Sequence, residues 1–236
     1  ITKGARLKKF YLRSAATGVG KTRALIADAC YIACDKLFNK QRNQWEQNGT
    51  KEPTLFIATE QDLEEVQTMM IAFISEVDEE HIIDGEYLPG EWERVVEAAA
   101  VLKDSPLYVV QLPDFSLQDI ENTIKYNIRQ NGVKYVFFDY IHSSMKILSE
   151  VTSKTGIKGL REDNVLFMIS IRLKDLCNQF GIFIMAATQL NADYVTAKQY
   201  DQNLLRGAKS IADKIDVGMI MLQTSPEDLT SLEPML

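Results

Sequence analysis

Residues Ala15–Arg23 read "AATGVGKTR". The pattern G-x-x-x-x-G-K-[ST] marks a loop whose backbone N–H groups converge on a polyphosphate. Ala15-Ala16-Thr17-Gly18-Val19-Gly20-Lys21-Thr22 matches it everywhere but at the first position. Gly18 and Gly20 allow the close approach, Lys21 is suited to the β/γ-phosphates, and the Thr22 hydroxyl to Mg²⁺. A helix starting straight after the loop points its positive end at the anion. The opening glycine mainly eases the turn off the preceding strand, so the Ala15 methyl is tolerated while the backbone keeps a negative φ. The predicted nucleotide-binding set is Ala15, Thr17, Gly18, Val19, Gly20, Lys21, Thr22 and Arg23.

A chance GxGK in a helix-capping turn is the bland alternative. The flanks answer it: "FYLRSA" reads as a strand before the loop, and Gly20–Phe38 as a helix after it. Further out the same alternation continues. "TLFIAT", "LYVVQL", "KYVFFDY", "IFIMAATQ" and "DVGMIML" are unbroken apolar strands. Between them lie helices from about Leu63 to Val77, over "EWERVVEAAAVLK", from Ser116 as N-cap to Gly132, and over Asn164–Phe180. Strands that are apolar on both faces predict a mostly parallel, twisted α/β sheet with helices on both sides, and its ligands at the strand C-terminal edge. "NKQRNQWEQNGTKEP" reads as a polar loop, and "LSEVTSKTGIKGLRED" and "NADYVTAKQYDQN" as loops at the ligand edge.

Composition agrees with one globular domain over residues 1–236: 46% apolar and 25% charged residues. The longest apolar runs are too short to span a bilayer. No secretory leader opens the chain, though "ITKGARLKKF" begins without Met and looks like the edge of an excised fragment; a cytoplasmic location is expected. Cys30, Cys34 and Cys177 read as buried thiols of a reducing compartment, because nothing completes a metal site around the Cys30/Cys34 pair. A formal charge of −7 and a pI near 5.0 argue against coating nucleic acid by bulk attraction, so such contacts must come from local basic loops.

Three strand ends carry chemistry. Asp139 closes "KYVFFD", where a carboxylate can hold the water shell of Mg²⁺ opposite Thr22. Glu60 follows "LFIAT" and has the type and placement of a base for the water that attacks ATP. Glu64 and Glu65 are rivals one turn into the next helix, where a solvated face is the plainer role. Gln189 ends "IFIMAATQ" and can sense the γ-phosphate. His142 is either a phosphate or DNA contact or a plain turn residue.

In this order the motifs resemble the C-terminal ATPase domain of DnaB-type replicative helicases, within the RecA-like P-loop superfamily. "AATGVGKT" looks like that family's Ala-led loop. "FIATEQDLEEVQTMM" resembles the segment carrying its catalytic glutamate, which implies that role for Glu60. "KYVFFDYIHSSM" resembles the "DYLQ" Walker B region, with His142 departing from the usual Gln. "ATQLNADY" is similar to the "SQLN" strand and places Gln189 and Asn191. "LLRGAKSIADKIDVGMIM" looks like the late motif, matching at Leu205, Arg206, Ile211 and Asp216.

The resemblance implies a homohexameric ring with ATP and Mg²⁺ between subunits, single-stranded DNA in the channel, 5′→3′ unwinding, and primase and a helicase loader as partners. Lys154, Lys158, Arg161, Lys198 and Arg206 fall on or near the channel loops and are candidate DNA-backbone contacts, with Gly156 and Gly159 allowing close approach. Six copies of a few cations concentrate positive charge in a channel while each subunit stays acidic outside. The family's N-terminal domain and its trans-acting lysine and arginine finger have no counterpart in the sequence, so weak hydrolysis is expected of the chain alone. Two other readings are a RecA- or RadA-like recombinase and a nucleotide-binding loader or regulatory module. The chain order around Glu60 and "DYIH" disfavours the first, and intact Lys21, Thr22, Glu60 and Asp139 the second.

Overall fold

The computed structural model describes residues 4–155, 161–191, 204 and 211–224. In chain order the elements are β1 (Phe10–Ala15), α1 (Lys21–Ala33), β2 (Lys36–Asn39), β3 (Gln44–Gln47), β4 (Thr54–Ala58), α2 (Leu63–Ser75), α3 (Glu79–Asp84) and α4 (Glu91–Asp104). They continue with β5 (Leu107–Gln111), α5 (Leu117–Asn131), β6 (Tyr135–Asp139), α6 (Met145–Thr155), α7 (Glu162–Phe180), β7 (Phe183–Gln189) and β8 (Val217–Met221).

Six strands form one sheet in the order β5-β4-β6-β7-β1-β8, every neighbouring pair parallel. The strands are apolar on both faces because each face feeds a separate core. Phe10 and Leu12 of β1 enter the core shared with α5 and α7, while Tyr11 enters the one shared with α1 and α2. The register aligns the strand ends along one edge: Ala58 lies beside Asp139, and Ala15 between Gln189 and Met221. The predicted α/β architecture is the observed one. Among the described residues no helix is long and apolar enough to cross a membrane.

Three expectations are corrected. The helix read as Gly20–Phe38 stops at Ala33, where Cys34 turns extended and its N–H bonds the Cys30 carbonyl. Phe38 then meets Trp45 edge-on at 5.5 Å across the antiparallel pair β2–β3, with the Arg94 guanidinium over Phe38, so much of the "polar loop" is a hairpin. The segment read as a loop from Leu148 is helical over residues 148–155, the C-terminal part of α6. In α6, Ile147 is buried and Leu148 and Val151 pack on the core at helical spacing. Cys30, Cys34 and Cys177 are buried free thiols, and burial pushes the Cys177 thiol up to about 12.

Candidate functional site

The turn from β1 into α1 builds the centre of the site. Ala15 is the fully buried last residue of β1, so the first position of the motif belongs to the strand and does not need glycine. The two glycines are needed for their backbone. Gly18 has φ +81° and Gly20 φ +94°, and a Cβ at either would meet nothing within 4 Å. Conformation, not space, selects glycine there. Thr17 and Gly18 stand exposed, and Lys21 and Thr22 open the first turn of α1 with half-buried side chains.

Asp139 sits deeper, 1% exposed at the end of β6. Among the described residues, neither carboxylate oxygen has a hydrogen bond of ordinary geometry. Burial pushes its carboxyl above the usual range, against the pull of Thr22 and Lys21, and nearby Glu60 adds to the rise. Thr22 is near enough to favour ionisation without closing a bond of ordinary geometry. A buried carboxylate with unsatisfied oxygens beside a hydroxyl is a hard-oxygen donor set, and it fits a magnesium ion that keeps most of its own water.

Glu60 lies two residues past β4, exposed, on the turn into α2. Its Oε1 accepts the Tyr140 hydroxyl at 2.8 Å, and the Lys21 ammonium lies 5.1 Å from the centre of the Tyr140 ring. Gln189 ends β7 beside Ala15. Lys21, Thr22, Glu60, Tyr140 and Gln189 border one cleft of about 620 Å³, which continues between α1 and α2 toward Thr68, Met69 and Ile83. Arg23 also borders it, drawn aside onto Glu79 of α3 at 2.9 Å. Glu64 and Glu65 reach the rim, but Glu65 serves the capping box of α2 with Asp62.

His142 is half-buried. Its ring packs at 5.1 Å against both Phe115 and Tyr140, and its Nδ1 lies 3.2 Å from the Tyr140 carbonyl oxygen. Of the basic candidates, Arg161 precedes α7 and is exposed, paired with Asp163. Lys154 falls on α6, but its side chain lies outside the described residues, as do Lys158, Lys198 and Arg206 entirely. Sequence reasoning missed Tyr140 as a member of the site. Its signal was its place after Asp139, on the second position of the "DYLQ" resemblance, and nothing local foretells a contact with Glu60, 80 residues away.

Residues 1–230 match the model of the DnaB-like helicase C terminal domain. The chain belongs to that family. Similar curated proteins include the SPbeta prophage-derived uncharacterized protein YorI of Bacillus subtilis (strain 168), 43% identical over 240 residues that cover all of this chain and 47% of that protein. The replicative DNA helicase DnaB of Mycoplasma pneumoniae is 23% identical over 99% of this chain and 46% of its own length. The chain thus spans about half the length of these curated relatives. Among solved structures, one described as an ATPase domain superposes with a TM-score of 0.74 at 16% identity, over 94% of this chain and 72% of that one. A DnaB-like replicative helicase, described with its interactions with primase, superposes at 0.71 and 16% identity over 93% and 48%. At that identity the likeness establishes the RecA-like fold alone.

Proposed function

We propose that the chain is the ATP-hydrolysing motor domain of a replicative-type DNA helicase. The observation that carries this reading is that Lys21, Thr22 and Glu60 line one cleft at the strand C-terminal edge, with the Asp139 carboxylate buried close beside them. Family membership supplies the setting. ATP lies with its phosphates over the Gly18–Gly20 backbone, where the α1 N-terminus and Lys21 offset their charge. Thr22 and Asp139 hold a magnesium ion, which when bound neutralises phosphate charge. Glu60 takes the proton of, or orients, the attacking water, and Gln189 faces the same space and senses the γ-phosphate.

In this reading the domain works in the cytoplasm within a homohexameric ring, with ATP between subunits and single-stranded DNA in the channel. Lys154, Lys158, Arg161, Lys198 and Arg206 meet the DNA backbone, and a primase and a loader are partners of the whole protein. Translocation runs 5′→3′. Residues 1–236 form one domain of that protein.

The test is DNA-stimulated ATP hydrolysis by the full-length protein. Lys21→Ala should abolish it. Glu60→Gln should keep ATP binding while lowering turnover by about 10²–10⁴, the range of a lost general base. Hydrolysis surviving Lys21→Ala overturns the site.

A further inference from the structure

Glu60 has a geometric difficulty. It is an exposed glutamate on a turn, with three rotatable bonds, yet orienting a water demands one direction. We infer that Tyr140 is the positioning residue that supplies this direction, its hydroxyl aiming Glu60 and its ring seating Lys21. The inference rests on the reading of Glu60 as the water-orienting group.

The Tyr140 hydroxyl donates to Glu60 Oε1 at 2.8 Å, and the Lys21 ammonium lies 5.1 Å from the ring centre on the face that attracts cations. One side chain therefore touches both the base and the phosphate-binding lysine. Tyr140 is itself well held. Its N–H donates to the Thr59 hydroxyl at 3.0 Å, the His142 ring packs against it, and it follows the buried Asp139. Aim passes from the rigid end of β6 to an exposed carboxylate beyond β4.

A structural role explains this contact poorly. A hydrogen bond to an exposed carboxylate adds little to folding, because water replaces it on either partner at small cost. Its effect falls on orientation, where a small misplacement costs up to about 10²-fold in rate. Phenylalanine in place of Tyr140 deletes the aim and keeps the ring beneath Lys21. Leucine deletes both.

The experiment compares steady-state, DNA-stimulated ATP hydrolysis by the full-length wild type with Tyr140→Phe, Tyr140→Leu, Glu60→Gln and the Glu60→Gln/Tyr140→Phe pair, beside their melting temperatures. Tyr140→Phe should lower kcat about tenfold with KM for ATP and melting temperature unchanged, as lost orientation predicts. Tyr140→Leu should also raise KM. In the Glu60→Gln background Tyr140→Phe should change nothing further. A Tyr140→Phe kcat within about twofold of wild type, while Glu60→Gln falls by about 10² or more, overturns this inference and leaves Glu60 in its role. An equal loss in both backgrounds also overturns it. A wild type that does not hydrolyse ATP, or a fully active Glu60→Gln, removes the reading of Glu60 and this inference together.

Discussion

The Thr59 hydroxyl donates to the Asp139 carbonyl oxygen at 3.0 Å, and the same oxygen of Thr59 accepts the Tyr140 N–H at 3.0 Å. Thr59 is 3% exposed at the tip of β4, next to Glu60. This hydroxyl adds to the Thr59 N–H, which donates to the same Asp139 carbonyl at 2.8 Å, in joining the two strand tips that carry the site's carboxylates. Thr59→Val keeps the shape and leaves the Tyr140 N–H without that acceptor, at a cost of about 1–3 kcal/mol. Urea unfolding should show that loss, and turnover should fall with it because Tyr140, which bonds Glu60, loses the acceptor that holds its N–H. Thr59→Ser should restore both.

Asp139 sets stability against function. Its carboxyl titrates above the usual range, chiefly through burial, so the folded state holds the proton more tightly than the unfolded chain does. The sign follows: the penalty is absent below the ordinary Asp value near 3.9 and grows as pH rises through the folded value. Asp139→Asn should therefore unfold at higher urea than the wild type at pH 7, with the gap closing as pH falls toward about 4. Magnesium with a nucleotide should raise the melting temperature of the wild type more than that of the variant.

Helix α5 tests how far local chemistry alone defines an element. Ser116 Oγ accepts the Asp119 N–H at 3.0 Å, and the Asp119 carboxylate accepts the Ser116 N–H at 2.9 Å, while Gly132 closes the helix in the left-handed region. The Ser116 N–H holds the Asp119 carboxyl below its usual range. Ser116→Ala should cost about 1 kcal/mol, read as a lower unfolding midpoint with ATP hydrolysis unchanged.

That helix was legible because its signals are local: a cap, a box and a terminal glycine. The central strands were legible because burial on both faces leaves unbroken apolar runs, and the phosphate loop because Gly18 and Gly20 are demanded by their own backbone. The elements misread depend on distant partners. Phe38 continues the apolar pattern of α1, and only Trp45 and Arg94 turn it into a strand residue. α6 is rich in Ser, Thr and Lys, and the core contact of Ile147, Leu148 and Val151 makes it a helix. In the site, each carboxylate could be placed at a strand tip from its own segment. The bond between Tyr140 and Glu60 could not, since it depends on how β4 and β6 pair.

Asp216, matched in sequence to a family motif, is a clamp in the structure. It precedes β8, accepts Lys174 Nζ at 2.6 Å, the Phe10 N–H at 2.8 Å and Lys9 Nζ at 3.0 Å, and so joins α7 to the start of β1. Burial works to raise its carboxyl, but Lys174, the Phe10 N–H and Lys9 outweigh burial and hold it below the usual range. A depressed folded value means that the unfolded chain binds the proton more readily, so the clamp stabilises the fold above the ordinary Asp value near 3.9 and fades as pH falls through the folded one. Asp216→Asn keeps the shape and removes the charge, and should lose about 1–3 kcal/mol at pH 7, the worth of hydrogen bonds to a charged group. Paired urea titrations from pH 7 downward should show the two proteins converging at acid pH. A gap that stays constant down to pH 3 would show that the carboxylate's charge is not what closes β8 onto the sheet.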